Sequence, residues 1–195
     1  MTTISALESI HTKGFFGDYE NKSKDEILKL TEVKNLLIIQ IVKYKKSIIS
    51  IKDIKIDNLN LKNEVLNVRS NIATRILWNG PNNWLLVSTK KELLKEINEK
   101  LEETDFAITN LSHSRAIIEI EGKNTKEILK KGCPFNFNEL EKDVCLNSIY
   151  NGISVTIDML GDNPDKVRIF TLRSFGESLH HSITDACLEF GYKSI

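Results

Sequence analysis

Arg75-Ile76-Leu77-Trp78-Asn79-Gly80-Pro81-Asn82-Asn83-Trp84-Leu85-Leu86-Val87 sets two β-prone runs on either side of a five-residue break. Aromatic and aliphatic side chains suit a pleated surface, glycine and asparagine tolerate positive φ, and proline has no N–H to pair. The stretch predicts a hairpin with strands over 75–78 and 84–87. Working outward, 90–103 brings Leu93, Leu94, Ile97 and Leu101 to one face with charges elsewhere, the spacing of an amphipathic helix laid on a sheet. Two hairpin strands followed by such a helix set the theme for the rest of the chain.

Beyond that helix, strands are expected over 106–109 and 115–121, around the polar turn Ser112-His113-Ser114, with Gly122 ending the second. Asn124 with Glu127 marks a helix start and Gly132 the position past its end, which predicts a helix over 125–131 that Cys133-Pro134 leaves. Further strands are expected over 144–150, 153–159 and 167–172, separated by Gly152 and by Gly161-Asp162-Asn163-Pro164. Ser174 and Glu177 then read as a capping box, and Phe175, Leu179, Ile183, Cys187 and Phe190 follow at helical spacing until Gly191.

Toward the N-terminus, 36–42 and 47–51 are β-prone runs joined by Lys43-Tyr44-Lys45-Lys46, read as a second hairpin with a solvated basic turn. Residues 1–30 mix glycine, serine and charge around Gly14-Phe15-Phe16-Gly17-Asp18 and read as an irregular N-terminal arm, with one helical turn near 25–30. Phe15, Phe16 and Tyr19 give that arm apolar surface that calls for cover. The remainder, 31–195, reads as one α+β domain whose repeated strand–strand–helix order allows two pseudo-repeats. Strands joined by short turns pair antiparallel and the helices cover a face, so the fold class is α+β, a duplicated antiparallel sheet and helix arrangement.

Composition narrows the function classes. The chain has 195 residues, 41% hydrophobic and 28% charged, enough for a substantial core. Lys and Arg total 27 and Asp and Glu total 27. A net charge of zero lacks the basic excess that nucleic-acid binding needs, so no nucleic-acid partner is expected. No apolar run reaches membrane-span length, and Met1-Thr2-Thr3-Ile4 lacks the basic stretch and apolar core of a signal peptide, which points to a cytoplasmic protein with no membrane partner. Cys133, Cys145 and Cys187 are odd in number and widely spaced, so a disulfide framework or thiolate zinc site is not expected.

Catalytic signatures are scarce. The sequence has no dinucleotide fingerprint, P-loop, paired zinc histidines on one helix or serine nucleophile elbow. His180 and His181 are adjacent and point about 100° apart on a helix, which disfavours shared metal ligation. Asp158, Asp162 and Asp165 lack calcium-loop spacing and read as turn formers. Cys133 falls at a predicted helix end, where the dipole raises a thiol pKa, so no nucleophile is assigned to it. Ser112, His113 and Arg115 gather hydroxyl, imidazole and guanidinium in one turn, which reads first as a hydrogen-bonded structural turn and second as a carboxylate site or a contact to a partner chain. Phe135 and Phe137, after Pro134, are further interface candidates. No catalytic, cofactor-binding or metal-binding residue is assigned.

Three segments together carry a resemblance: 75–87, then Leu111-Ser112-His113-Ser114-Arg115 through Lys131-Gly132-Cys133-Pro134, and finally Arg173-Ser174-Phe175-Gly176-Glu177-Ser178-Leu179. In order and spacing they resemble the gamma subunit of heterotetrameric sarcosine oxidase, from about 75 to 191, with an echo in Ser5-Ala6-Leu7 and Leu30-Thr31-Glu32-Val33. The resemblance implies a fold like the folate-binding domain of aminomethyltransferases and a place beside alpha, beta and delta subunits. It further implies that FAD, FMN, NAD, tetrahydrofolate and zinc sit on those other chains, that this chain binds no cofactor, and that the complex converts sarcosine to glycine while passing the one-carbon unit to tetrahydrofolate. N-methylglutamate dehydrogenase has a similar subunit plan, which leaves the substrate open. A stand-alone aminomethyltransferase-type protein is a second reading, and Lys131-Gly132-Cys133 is also similar to the opening of a folate-dependent iron–sulfur assembly factor's motif. The loop 136–143 departs from the family by lacking its proline-rich stretch.

Overall fold

Alternating and amphipathic runs become strands and helices in the computed structural model, which describes residues 4–23, 25–162 and 165–195. In chain order the first half contains β1 (Gly14–Phe16), β2 (Leu28–Glu32), β3 (Leu37–Lys43), β4 (Lys55–Ile56), β5 (Leu59–Asn60), β6 (Val68–Ser70), β7 (Thr74–Gly80), β8 (Asn83–Ser88) and α1 (Leu93–Lys100). There follow β9 (Phe106–Asn110), β10 (Arg115–Glu121), α2 (Thr125–Gly132), β11 (Cys145–Tyr150), β12 (Ile153–Met159), β13 (Lys166–Leu172), α3 (Gly176–Cys187) and β14 (Tyr192–Ser194). The chain forms two compact units, one from 4–34, 114–142 and 146–195, the other from 35–113 and 143–145.

The first unit is a seven-stranded sheet in the order β1-β14-β2-β10-β13-β12-β11. Ala116, Ile118 and Ile120 of β10 stand opposite Thr171, Ile169 and Val167 of β13 and share one buried face. α3 covers it with Leu179, Ile183, Ala186 and Cys187, a one-face spacing. Gly176 makes the close approach possible, because a Cβ there would lie 2.8 Å from that of Ala116. Leu179 and Ile183, taken out of water, contribute about 1.5–3 kcal/mol each. On the opposite face Glu121 meets Lys29 and Lys166 at 2.9 Å each, and Arg168 grips Glu119 through Nη2 at 2.8 Å, a ladder that follows the strand register.

The second unit is a five-stranded sheet, β6-β7-β8-β3-β9. The quoted hairpin is β7–β8, with Trp78 opposite Trp84, Gly80 opposite Asn83, an irregularity between Trp78 and Gly80, and Asn82 at φ 55°. Trp84, Leu86, Ile39 and Ile41 bury one face against Leu93 and Ile97 of α1 and Leu101 at its C-cap. Indole Nε1 of Trp84 donates to the Lys62 carbonyl at 2.6 Å, which satisfies the polar atom of the largest core side chain.

Several expectations give way. The run 47–51 forms no strand, because both edges of β3 are already paired, with β8 and β9, and Ile48 is left in solvent. The arm expected over 1–30 contains β1 and most of β2, so the expected helical turn near 25–30 gives way to the start of β2 at Leu28. β1 is tied to β14 as an edge strand, and β14 runs parallel to β2, a long-range pairing outside the antiparallel scheme. The capping box expected at Ser174 and Glu177 does not form, since Ser174 lies in a 3-10 turn with Phe175 at the N-cap of α3, whereas Asn124 stands at the N-cap of α2, the expected helix start, without a side-chain cap bond. Gly132 is the last residue of α2 rather than a left-handed stop, and its value is room for Tyr150, whose ring would lie 2.7 Å from a Cβ. Asp158 is a buried residue of β12 opposite Arg168, not a turn former. Asn163 and Pro164 of the expected turn lie outside the described residues.

Candidate functional site

The turn containing Ser112, His113 and Arg115 is where the chain leaves one unit for the other, after His113. Ser112 belongs to the second unit: its Oγ accepts from the Ile38 N–H at 3.0 Å and its N–H donates to Asn110 Oδ1 at 3.0 Å. Its bonds are internal ties. His113 is exposed.

Arg115 opens β10 in the first unit, opposite Leu172 at the end of β13, and the Arg173 N–H donates to the Ser114 carbonyl at 2.9 Å. The guanidinium of Arg115 is half-buried, and burial pulls its pKa below the ordinary value. Among the described residues its one hydrogen bond runs from Nη1 to the Ser114 carbonyl at 3.5 Å, the outer limit of such a contact. Arg173 Nη2 donates to the Ile4 carbonyl. Around this end of the sheet Ile4, Leu172 and Phe175 are 70%, 45% and 46% exposed.

Phe135 and Phe137 part company. Asn136 Oδ1 accepts from the Asn138 N–H at 3.2 Å and starts a 3-10 turn that sends Phe137 fully into the core. Phe135 stays 42% exposed, its ring 5.9 Å from that of Phe137. In the arm, Phe16 stacks on Tyr192 at 5.3 Å and Phe15 remains exposed beside Tyr19.

A pairing invisible in the sequence joins His11 to His180, with ring centroids 5.6 Å apart. Nε2 of each is buried without a hydrogen-bond partner among the described residues. Burial lowers both pKa values, Glu32 opposing the shift at each ring, with Lys34 and Lys13 near His11 and His181 near His180 adding to it. Glu32 accepts from Ser5 Oγ and pairs with Lys34 at 3.0 Å. Clefts of about 300 Å³ beside His180, His181 and Tyr192, and about 350 Å³ beside His11, Glu32 and Lys34, open here. Among the described residues no group of three or more His, Cys, Asp or Glu is arranged to hold a metal ion.

The Cys133 and Cys187 thiols are poor nucleophiles. All three cysteines are buried and lie outside any disulfide. Cys133 rises to about 11 and Cys187 to about 12, through burial rather than through the helix dipole expected for Cys133.

The strongest electrostatic hub was missed in the sequence. Asp57 lies in the β4–β5 turn at φ 50° with Asn58 at φ 63°, and accepts from Lys90 Nζ at 2.7 Å, Thr74 Oγ1 at 2.6 Å and Asn71 Nδ2 at 3.0 Å. Burial pushes its pKa up, but these bonds outweigh it and hold the carboxyl at about 2. The available signal was Ile56-Asp57-Asn58-Leu59, two residues that tolerate the left-handed region between apolar neighbours.

A model of the sarcosine oxidase, gamma subunit family matches residues 55–189. Sarcosine oxidase subunit gamma of Corynebacterium sp. (strain U-96) is 28% identical over 121 residues, covering 60% of this chain and 58% of that protein. The same subunit of Corynebacterium sp. (strain P-1) is 24% identical over 63% of this chain and 61% of that protein. The matches thus span about three fifths of these relatives. Among solved structures, a chain of the heterotetrameric sarcosine oxidase from Corynebacterium sp. U-96, in complex with pyrrole 2-carboxylate, superposes with a TM-score of 0.75 at 22% identity, covering 86% of this chain and 87% of that one. Aminomethyltransferase T of the glycine cleavage system from Bartonella henselae superposes with a TM-score of 0.58 at 12% identity, over 80% of this chain and 45% of that one. The α+β fold is therefore shared with both.

Proposed function

The chain belongs to the sarcosine oxidase gamma subunit family, and from that premise we propose that it serves as a non-catalytic subunit of a heterotetrameric flavoprotein oxidase. In this reading the assembly demethylates sarcosine to glycine and passes the one-carbon unit to tetrahydrofolate. The alpha, beta and delta chains are its partners and carry FAD, FMN, NAD, tetrahydrofolate and zinc, and the complex is cytoplasmic. An N-methylglutamate dehydrogenase of similar subunit plan is the neighbouring alternative for the substrate.

The observation that carries the reading is the family match over 55–189, together with a fold that follows a chain of such an oxidase over 86% of its length. The chemistry of the site agrees with it. The thiol of the Lys131-Gly132-Cys133 motif is 5% exposed and raised to about 11, which weighs against a reactive role for it. No helix among the described residues is long and apolar enough to cross a membrane.

Absorption spectra and turnover assays on the purified chain test the proposal. A colourless protein with no sarcosine- or tetrahydrofolate-dependent turnover is expected. A stoichiometric flavin band, or turnover clearly above background, contradicts it.

A further inference from the structure

The chain has five arginines. Arg69 meets Glu64 at 3.6 Å, Arg75 meets Asp143 at 2.9 Å and Arg168 meets Glu119 at 2.8 Å. Arg115 and Arg173 are held among the described residues by main-chain carbonyls alone, those of Ser114 and Ile4. These two are neighbours, because Arg115 stands opposite Leu172 in the β10–β13 register and Arg173 follows Leu172 directly. An arginine's planar fork of five donors is poorly served by one carbonyl at 3.5 Å, and half-burial has already stripped part of its water. The cost of that desolvation is incurred before any partner arrives, so a carboxylate placed on the fork meets a guanidinium prepared for it.

The surroundings match such a partner. Leu172 shares a sheet face with Arg115, since directly opposed strand residues point the same way, and it is 45% exposed although its face-mates Phe170 and Ile117 are buried. Phe175, in the 3-10 turn after Arg173, and Ile4, whose carbonyl Arg173 holds, are also exposed. Two cations without carboxylates among exposed leucine, phenylalanine and isoleucine have the composition of an interface centre, in which an arginine and an aromatic side chain anchor a partner. The positive charge makes the partner acidic.

We infer that Arg115 and Arg173, with Leu172 and Phe175, form the docking site for an acidic segment of a partner subunit, an Asp or Glu carboxylate taking the Arg115 fork and an adjacent apolar side chain resting on Leu172 and Phe175. The inference rests on the reading of this chain as an assembled subunit and names the surface through which it assembles.

The test uses the full chain co-expressed with its alpha, beta and delta partners, captured through a tag on alpha at several NaCl concentrations. Arg115→Gln, Arg115→Lys, Arg173→Gln and Phe175→Ser are compared with the parent, and with Arg69→Gln as a charge control at a carboxylate-paired site. Each variant is also melted alone. Arg115→Gln should weaken assembly by about 30-fold or more, as loss of one member of a desolvated charge pair does, and Arg115→Lys should fall between it and the parent because it keeps charge and loses the fork. Arg69→Gln should assemble as the parent does, and Arg115→Gln should melt alone as the parent does. Parent assembly with undiminished assembly of the Arg115 and Arg173 variants overturns this inference and leaves the subunit reading standing. A marked drop in the isolated melt of Arg115→Gln overturns it as well, by making Arg115 an internal tie. Failure of the parent itself to be captured overturns the subunit reading and this surface with it.

Discussion

Asp57 and Arg115 are both charged groups drawn partly out of water, and the two units treat them in opposite ways. Asp57 is 11% exposed at its side chain and closes a set of bonds to Lys90, Thr74 and Asn71 within the second unit. Its charge ties the β4–β5 turn to the start of β7 and to the residues before α1. The Arg115 guanidinium in the first unit is half-buried and among the described residues makes one long contact, to the preceding residue. A buried charge with all its bonds made inside the chain is a fastening of the fold, whereas a desolvated charge left open faces outward in its function. The difference separates stability from assembly, and variants at the two sites should affect different measurements.

The largest effect is expected at Asp57. Asp57→Ala removes the hub and places alanine at φ 50°, so chemical denaturation of the isolated chain should show a loss of about 3 kcal/mol. Asp57→Asn keeps size and left-handed tolerance and should cost about half as much. Because the folded carboxyl titrates at about 2 against an ordinary 3.8, the stability from Asp57 is complete above about pH 4 and disappears as pH falls toward 2. The Ala variant should lack that acid-dependent part. If Asp57→Ala unfolds like the parent, the contrast with Arg115 collapses.

A smaller effect is expected at the His11–His180 pair, which sharpens the comparison because its Nε2 atoms are buried without partners and carry no charge to share. Both imidazoles titrate below 6.5 in the fold, so the unfolded chain takes up protons first as pH falls. Stability from the pair is complete above about pH 6.5 and declines below it, each extra proton adding a slope of at most about 1.4 kcal/mol per pH unit. Urea midpoints at pH 7.5 and 5.5 should therefore differ less in a His11→Gln, His180→Gln double variant than in the parent. Equal differences in the two proteins would falsify the assignment of lowered pKa values to this pair.

The parts legible in the sequence were local. The 75–87 hairpin, the strands 115–121 and 153–159, and the apolar spacing of α1 and α3 follow from periodicity and turn chemistry that neighbouring residues settle among themselves. The run 47–51 has the same β-prone composition, but a strand needs a free edge, and the sequence does not show that β3 has none. β14 is three residues long after Gly191 and gains its place by pairing with β2 and β1 from the far end of the chain. Phe135 and Phe137 look alike in sequence, and only the turn at Asn136 sends one inward. Of the site, Arg115 was visible as a residue type at a strand start, whereas its open fork, its nearness to Arg173 and the meeting of His11 with His180 are products of strand register and helix packing.

The central claim, that this chain acts by assembling, is tested most directly by size-exclusion chromatography of the parent chain mixed with the co-expressed alpha, beta and delta subunits. One species containing all four chains in fixed ratio is predicted, with the flavin absorbance travelling in that peak. Elution of this chain as a separate, stable monomer, while the other three co-migrate and retain sarcosine turnover, would contradict the account.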